Sequence, residues 1–355
     1  MCVLLFSCNV VRIAEKVMAW SSCNCESICK EIHDSWGQPA HLIQHLAGLT
    51  QLECRKTRET YVKIYGEDPA QLLLQSSESS SQGTGVSQRT YAALSMMMVN
   101  PHERDAIVAR EAFEQNDTVN YKALIEIFTC RKSSHVLLIQ AAYHAKYKRQ
   151  LDQDIISIEP SHPYQRILMA LSASHKALQA DASQHIARCD AMRLYQAGEG
   201  KPGAVDEAVL LEILSKRSIL QLRLTFSAYK HIFGHTYTAF SFRFSLTIFQ
   251  SLKNEKSGEF EDALRVVVTC ICNPPKYYAE TLYACIKGTA TDKGALVRVI
   301  MSRAEVDMNE IQKVFKKKYG VELMIAMSES LPSGDYGELV LALATKTCRV
   351  PDGSV

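Results

Sequence analysis

Apolar residues recur along the chain in a pattern that repeats four times. With Leu49, Arg131, Arg217 and Arg303 as anchors, a leucine lies seven residues before each anchor and another apolar residue three before it. Aromatic residues follow each anchor at twelve and sixteen positions: Tyr61 and Tyr65, Tyr143 and Tyr147, Tyr229 and Phe233, Phe315 and Tyr319. Residues four apart share one face of a helix. Each copy therefore predicts an amphipathic helix, a break, and a second helix whose rings pack into the core.

The anchors are 82 to 86 residues apart, which is enough for four or five short helices in each copy. Breaks that contain proline, glycine or serine divide the chain into four predicted repeats after a leader, residues 1–22. The repeats are residues 23–98, 99–178, 179–272 and 273–348. Gly66, Gly234 and Gly320 directly follow the last aromatic residue in three copies, where a helix commonly ends in a left-handed conformation.

Two segments depart from this helical pattern. Residues 76–88, rich in serine, are typical of a polar loop inside the first repeat. Residues 240–249 of the third repeat alternate apolar and polar side chains with a period of two, which is typical of a strand. This segment is interpreted either as an inserted surface hairpin or as a stretch absent from the functional product.

Composition excludes several classes of function. The net charge of +2 gives no overall field that would attract nucleic acid. No apolar stretch reaches the length of a membrane-spanning helix, and the N-terminus lacks the features of a signal peptide. We therefore expect a cytosolic protein whose twelve cysteines are reduced. Cys25, Cys29 and His33 share one helix face, but the fourth ligand that a zinc site requires is missing.

Several motifs in order resemble the annexin family, and in detail a plant annexin. They include RETYVKIYGED at 58–68, NPHERDAIVAREA at 100–112, AAYHAKYKRQLDQDI at 141–155 and ALVRVIMSRAEVDM at 295–308. SGDY at 333–336 falls where the last repeat of the family has that phrase. The resemblance implies an all-α fold of four annexin-type repeats, each of about five helices, that form a curved disc. It also implies Ca²⁺-dependent docking on acidic phospholipid membranes, with self-association on them.

In that family, a loop between the first two helices of a repeat offers backbone carbonyls to Ca²⁺. An acidic side chain about forty residues later completes the cage, and oxygen ligands of this kind are what Ca²⁺ prefers. The fourth repeat matches best, with Gly288-Thr289-Ala290-Thr291-Asp292. The resemblance then implies that the backbone carbonyls of Ile286, Gly288 and Ala290 are Ca²⁺ ligands. Ser330 stands where the acid is expected, so the adjacent Glu329 is the candidate carboxylate. The alternative is that Thr291 only caps a helix starting near Ala295.

The first repeat retains less of the loop. The resemblance implies that the backbone carbonyls of His33, Ser35 and Gly37 are Ca²⁺ ligands. The nearest acidic residue, Glu78, lies in the serine-rich segment and is the candidate carboxylate. Trp36 lies on this loop, and an exposed indole there would contact the lipid interface. The alternative is a ring folded back onto the repeat. The second and third repeats, at 116–120 and 202–206, lack the glycine pattern, so no Ca²⁺ site is expected there.

No enzyme activity is expected, and no catalytic residues are assigned. Gly48 replaces a histidine that has been linked to peroxidase activity in plant annexins, and no nucleophile–base arrangement follows from the spacing. The sequence therefore predicts peripheral, Ca²⁺-dependent binding to anionic membranes, with the Ca²⁺ dependence weakened by degenerate loops. The alternative function is a calcium-independent helical-repeat scaffold that binds a protein partner.

Overall fold

The structure is a computed structural model that describes residues 25–79, 85–114, 119–159, 161–173, 182–200, 206–237, 255–287 and 293–346. These residues form helices joined by turns, with no strand among them. The all-α prediction is therefore confirmed. None of the described helices combines the length and the apolar character that crossing a bilayer requires.

Nineteen helices lie within the described residues. In the first repeat, α1 to α5 are Cys25–Asp34, Pro39–Leu46, Gln51–Tyr65, Pro69–Ser79 and Gly85–Met98. In the second, α6 to α10 are Pro101–Glu114, Tyr121–Cys130, Ser133–Tyr147, Leu151–Ile156 and Pro163–Ser172. In the third, α11 to α14 are Gln184–Ala197, Glu207–Lys216, Ile219–Phe233 and Glu255–Cys272. In the fourth, α15 to α19 are Pro274–Lys287, Lys293–Arg303, Met308–Tyr319, Leu323–Ser330 and Asp335–Ala344.

The helices follow the register of the sequence anchors. The second helix of every repeat begins ten residues before its anchor, at Pro39, Tyr121, Glu207 and Lys293. The third helix of every repeat ends sixteen residues after its anchor, at Tyr65, Tyr147, Phe233 and Tyr319. The next residue is left-handed in all four copies: Gly66, Lys148, Gly234 and Gly320. The predicted glycine ends are confirmed, and Lys148 adopts the same conformation without being glycine.

The aromatic positions divide into two layers. The first ring of each pair is almost fully buried: Tyr61, Tyr143, Tyr229 and Phe315 are 0–1% exposed. The second ring is half-buried and, in three repeats, stacks on a ring from the first helix. These stacks are His33–Tyr65 at 4.0 Å, Tyr195–Phe233 at 4.1 Å and Tyr283–Tyr319 at 3.8 Å between centroids. In the second repeat, the Arg110 guanidinium lies 5.8 Å from the Tyr147 ring instead. The predicted role of the rings in the core is confirmed.

The described helices belong to two compact units. One unit combines residues up to Arg104 with those from Tyr278 onward, and therefore holds the first and fourth repeats. Within it α4 packs along α5, and α1 packs on α3. The almost fully buried helix α19 contacts α2, α5, α16 and α18, which joins the two repeats.

The other unit runs from Asp105 to Tyr277 and holds the second and third repeats. Helix α10 is central to it, since it contacts α7, α9, α12 and α14. Two buried aspartates hold the arginine anchors of this unit. Asp105 pairs with Arg131 at 2.6 Å, and Asp190 pairs with Arg217 at 2.7 Å.

Two expectations about the elements change. The serine-rich segment 76–88 is not a loop throughout, because α4 continues to Ser79 and α5 begins at Gly85. The Ser76 hydroxyl donates to the Leu72 carbonyl within α4, and Ser77 is buried, so serine there is compatible with a helix. Helix α16 begins at Lys293, two residues earlier than expected. The leader 1–22 and the alternating segment 240–249 lie outside the described residues.

Candidate cation-binding loops

In the fourth repeat, the end of α15 meets the end of α18. Ile286, in the last turn of α15, is buried, and the Ser330 hydroxyl donates to its carbonyl oxygen at 3.1 Å. Glu329, its neighbour in this final turn of α18, is exposed, as Ser330 is. The hydrogen bond shows that the side chain in contact with the first predicted carbonyl ligand is that of Ser330.

The rest of this loop lies outside the described residues, which include neither Gly288 nor Ala290 nor the predicted cap Thr291. The described part supplies a carbonyl oxygen and a hydroxyl oxygen. Both are hard oxygen donors of the kind that Ca²⁺ takes. The donor set therefore fits Ca²⁺ in type but has less negative charge than a cage closed by a carboxylate.

In the first repeat, the predicted ligands lie in a tight turn between α1 and α2. The carbonyl of Ser35 accepts from the Gln38 amide at 3.0 Å, and Gly37 has a φ of +83°. A methyl group at Gly37 would meet no atom within 4 Å, so glycine is favoured there by the backbone angle alone. Each carbonyl oxygen has a second lone pair, so these bonds leave the carbonyls able to bind a cation.

Trp36 is folded back onto the repeat. Its indole N–H donates to the Tyr61 hydroxyl at 2.7 Å, and its ring meets the Tyr61 ring edge-on. His33 Nδ1 lies 2.9 Å from the same hydroxyl. Of the two orientations open at the level of sequence, this is the folded-back one, and contact of Trp36 with a membrane stays a prediction.

The remaining predicted loop residues have other positions. Glu78 is exposed on α4 and is not part of a loop. In the second and third repeats, residues 116–118 and 202–205 lie outside the described residues. The polar residues just before the second helices, Asn120 and Asp206, act as N-caps. Their side chains accept from the amides of Ala123 and Ala208.

The buried tyrosine of the third helix has a role that the sequence did not predict. In the first repeat its hydroxyl contacts His33 and Trp36, and in the third repeat the Tyr229 hydroxyl donates to Glu199 at 2.9 Å. All three partners lie in or next to the connection between the first and second helices. The spacing of Tyr61 indicated only a core ring, because periodicity reports the buried face of a ring and not the partner of its hydroxyl.

Cysteine side chains give little support to metal or redox chemistry. The Cys29 thiol donates to the Thr57 carbonyl, whereas His33 contacts Tyr61, so the two side chains have different partners. Among the described residues, no group of three or more His, Cys, Asp and Glu side chains is arranged to hold a metal ion. The sulfurs of Cys130 and Cys270 are 3.6 Å apart, but burial raises the pKa of Cys270, which favours the less reactive thiol.

Comparison with known proteins agrees with the repeat pattern. The family model described as Annexin matches residues 104–171, 189–267 and 277–343, together more than half of the chain. The chain belongs to the annexin family. The match to the annexin model begins at Arg104, yet α1 to α5 before it have the same helix register as the matched repeats.

Annexin relatives match over different lengths. Annexin A3 of Homo sapiens is 40% identical over 217 residues, which is 61% of this chain and 63% of annexin A3. The chain therefore spans slightly less than two thirds of that relative. Annexin A13 of Homo sapiens is 32% identical over 304 residues, which is 86% of this chain and 89% of annexin A13.

Solved annexin structures agree with the fold. The structure of annexin III has a TM-score of 0.75 and 29% identity, covering 91% of this chain and 94% of that one. Calcium-bound annexin (Sm)1 has a TM-score of 0.72 and covers 91% of each chain. Its identity of 22% shows a shared fold alone. Annexins in general bind phospholipid in a calcium-dependent way.

Proposed function

We propose that this annexin is a cytosolic protein that binds anionic phospholipid membranes peripherally, with a calcium dependence weaker than that of a complete annexin cage. Family membership supports the membrane role. In the fourth repeat the ligands would be Ile286, Gly288, Ala290 and Glu329. In the first repeat they would be His33, Ser35, Gly37 and Glu78, with Trp36 at the lipid interface. The bound ion would supply positive charge between the loop carbonyls and a lipid phosphate.

The contact between Ser330 and Ile286 is the observation that supports a weakened dependence on Ca²⁺. It puts a neutral hydroxyl beside the first carbonyl of the best loop, at 3.1 Å. The affinity of Ca²⁺ sites follows the number of charged ligands. A cage that has the neutral Ser330 hydroxyl beside this carbonyl therefore requires more Ca²⁺ to fill.

Cosedimentation with phosphatidylserine vesicles tests the proposal. We expect pelleting with Ca²⁺ at a high concentration and release by a chelator. Pelleting that persists in chelator would show that calcium is not the link, and that basic residues hold the membrane instead. No pelleting in either condition would contradict the membrane role and favour the scaffold function.

Restoring the missing carboxylate is the sharper test. Ser330→Glu should lower the Ca²⁺ concentration for half-maximal pelleting by about tenfold or more, because it adds a charged ligand beside Ile286. Ser328→Glu is the matched control, since Ser328 is an exposed residue of α18 whose hydroxyl bonds only within its own helix. It adds the same charge without reaching the Ile286 carbonyl. An equal response of both variants would show that only the general charge of α18 matters.

The role of Glu329 has its own test. Glu329→Gln removes the carboxylate and keeps the size of the side chain. If Glu329 is the ligand, this variant should require more Ca²⁺ to pellet. An unchanged requirement would remove Glu329 from the proposed cage.

A further inference from the structure

Two helices of the fourth repeat end against each other with their carbonyl groups. Helix α15 has Ile286 in its last turn, and α18 ends at Ser330, whose hydroxyl donates to the Ile286 carbonyl at 3.1 Å. The last carbonyls of a helix lack partners within that helix and carry a partial negative charge. The point where these two ends meet therefore favours a positive charge, and the Ser330 hydroxyl brings only the partial charge of its hydrogen.

Ser330 is open to a modifying enzyme. It is exposed, and α18 gives way to irregular backbone directly after it. Leu331 is extended, with φ −81° and ψ 144°, and is followed by Pro332 and the exposed Ser333. Residues at helix ends open locally at a low cost in free energy. The Ser330 hydroxyl can therefore leave the Ile286 carbonyl and enter the active site of an enzyme.

The nearest serine on the same helix does not share this contact. Ser328 is also exposed, but its hydroxyl donates to the Ile325 carbonyl of α18 itself. Residues two apart on a helix do not lie on the same face. A charge on Ser328 would therefore change the total charge of α18 without facing Ile286.

A phosphate on Ser330 would change the contact with Ile286 from a hydrogen bond into a pair of acceptors. In the transfer, Ser330 Oγ bonds to the γ-phosphorus of ATP and the bond from that phosphorus to ADP breaks. ADP leaves with the bonding electrons, and the hydroxyl proton passes to a base of the kinase. The product carries a charge of about −1.5 to −2 and three acceptor oxygens. Without a cation, these oxygens and the Ile286 carbonyl repel each other.

We propose that Ser330 is a phosphorylation site whose phosphate supplies the acidic ligand missing from that position, so that a protein kinase converts the fourth repeat from a weak into a strong Ca²⁺ site. Phosphate oxygens are hard donors of the kind that Ca²⁺ takes, and Ca²⁺ affinity follows the charge of the ligands. The effect on membrane attachment rests on the proposed function, whereas the effect on Ca²⁺ binding requires no lipid.

A lysine competes with Ca²⁺ for such a phosphate. Lys287 follows Ile286 directly, is exposed and ends α15. An ammonium group paired with the phosphate would stabilise the modified chain without Ca²⁺. A phosphate that waits for Ca²⁺ has the opposite effect, because two helix ends repel it until the ion binds. The direction of the change in chelator therefore separates the two cases.

Thermal unfolding of the full chain without lipid tests the phosphate as a ligand. Phosphoserine is placed at position 330 during translation, and the matched control carries it at position 328. In chelator, we expect phosphoserine at 330 to lower the thermal midpoint by roughly 2–4 °C relative to the unmodified chain. Ca²⁺ should reverse this loss, with a half-maximal rise at a Ca²⁺ concentration about tenfold lower than in the unmodified chain or the control.

Three results of this measurement would overturn the phosphate as a Ca²⁺ ligand. One is a midpoint that Ca²⁺ does not restore, and another is an equal response to Ca²⁺ with phosphoserine at 330 and at 328. The third is a higher midpoint in chelator that Lys287→Gln abolishes, which would show that the phosphate pairs with the lysine instead.

Mass spectrometry tests whether the hydroxyl accepts phosphate. The full chain, produced in eukaryotic cells and purified with phosphatase inhibitors, should carry phosphate at Ser330, and Ser330→Ala should lose it. Phosphate at Ser328 or Ser333 alone, or none on this segment, would overturn Ser330 as the acceptor.

Phosphatidylserine vesicles connect the site to the membrane. Phosphoserine at 330 should lower the Ca²⁺ concentration for half-maximal pelleting by about tenfold or more, and the control at 328 should not. An unchanged requirement despite a positive thermal result would overturn control of membrane attachment by this phosphate. If neither the modified nor the unmodified chain pellets with Ca²⁺, the proposed function fails, while the lipid-free measurement still decides whether the phosphate binds Ca²⁺.

Discussion

Lys148 adopts the left-handed backbone conformation that glycine adopts at the three equivalent positions. Its φ is +56°, and it follows the last residue of α8, as Gly66, Gly234 and Gly320 follow the other third helices. A side chain in this region costs about 1–2 kcal/mol relative to the right-handed region. Lys148→Gly should therefore raise the free energy of unfolding by about 1 kcal/mol, measured as a higher urea midpoint.

A neighbouring lysine separates this effect from the loss of a side chain. Lys146→Gly lies inside α8 and is also exposed, so it should lower stability by about 1 kcal/mol. If both variants have a lower urea midpoint than the unmodified chain, the left-handed conformation of Lys148 is not strained enough for glycine to stabilise it.

Thr225 buries a hydroxyl that has no hydrogen-bond partner within the described structure. The equivalent residues of the second and fourth repeats are Ile139 and Ile311, both fully buried. Thr225→Val removes the hydroxyl and keeps the shape of the side chain. The free energy of unfolding should therefore rise by about 1–2 kcal/mol, measured as a higher urea midpoint. Thr129→Val is the contrast, because the Thr129 hydroxyl donates to the Ile125 carbonyl at 2.7 Å. That variant should be less stable, and a loss of similar size in both would show that the Thr225 hydroxyl is satisfied.

At the scale of elements, α19 depends on one close approach. A methyl group at Gly337 would lie 2.5 Å from the carbonyl oxygen of Pro332, which belongs to the backbone and cannot rotate away. Gly337→Ala should therefore displace α19 and lower the free energy of unfolding by about 1–3 kcal/mol. Gly294→Ala, at an exposed position of α16, should instead raise it slightly, by about 0.5–1 kcal/mol. Equal urea midpoints for Gly337→Ala and the unmodified chain would contradict the role of this contact.

The sequence predicted the elements better than the loops. Each repeat places the start of its second helix and the end of its third at a fixed distance from the anchor, because packing of the two aromatic layers tolerates no shift along the helix. The serine-rich segment 76–88 was predicted less well. Serine commonly marks loops, but Ser76 bonds to its own helix and Ser77 is buried by its neighbours, so tertiary packing decides where α4 ends.

The candidate sites were predicted only as far as backbone position. The resemblance located the loop near Ile286 and made Glu329 the candidate carboxylate, because Ser330 stands where the acid is expected. No periodicity could show that the Ser330 hydroxyl bonds to the Ile286 carbonyl. Trp36 was open between two orientations for the same reason. Its position follows from a hydrogen bond to Tyr61, a residue 25 positions away whose hydroxyl leaves no trace in the hydrophobic pattern.

At the scale of the whole molecule, binding of Ca²⁺ should increase the thermal stability of the folded chain. A ligand that binds only the folded chain adds about 2.7 kcal/mol at a concentration one hundred times its dissociation constant. With Ca²⁺ and without lipid, Ser330→Glu should therefore show a larger rise in thermal midpoint than the unmodified chain or Ser328→Glu. Equal rises would show that residue 330 does not contribute to a cation site, whatever the vesicles report.

The two compact units also differ in how their residues follow one another along the chain. One unit is continuous from Asp105 to Tyr277, whereas the other needs residues from both ends. On a ribosome that adds about 5–20 residues per second, α5 therefore waits roughly 10–50 s for the arrival of α19, the helix that covers it. During that interval the middle of the chain can complete its own core. The first repeat remains the exposed part of the nascent protein, and chaperones would find their apolar substrate there.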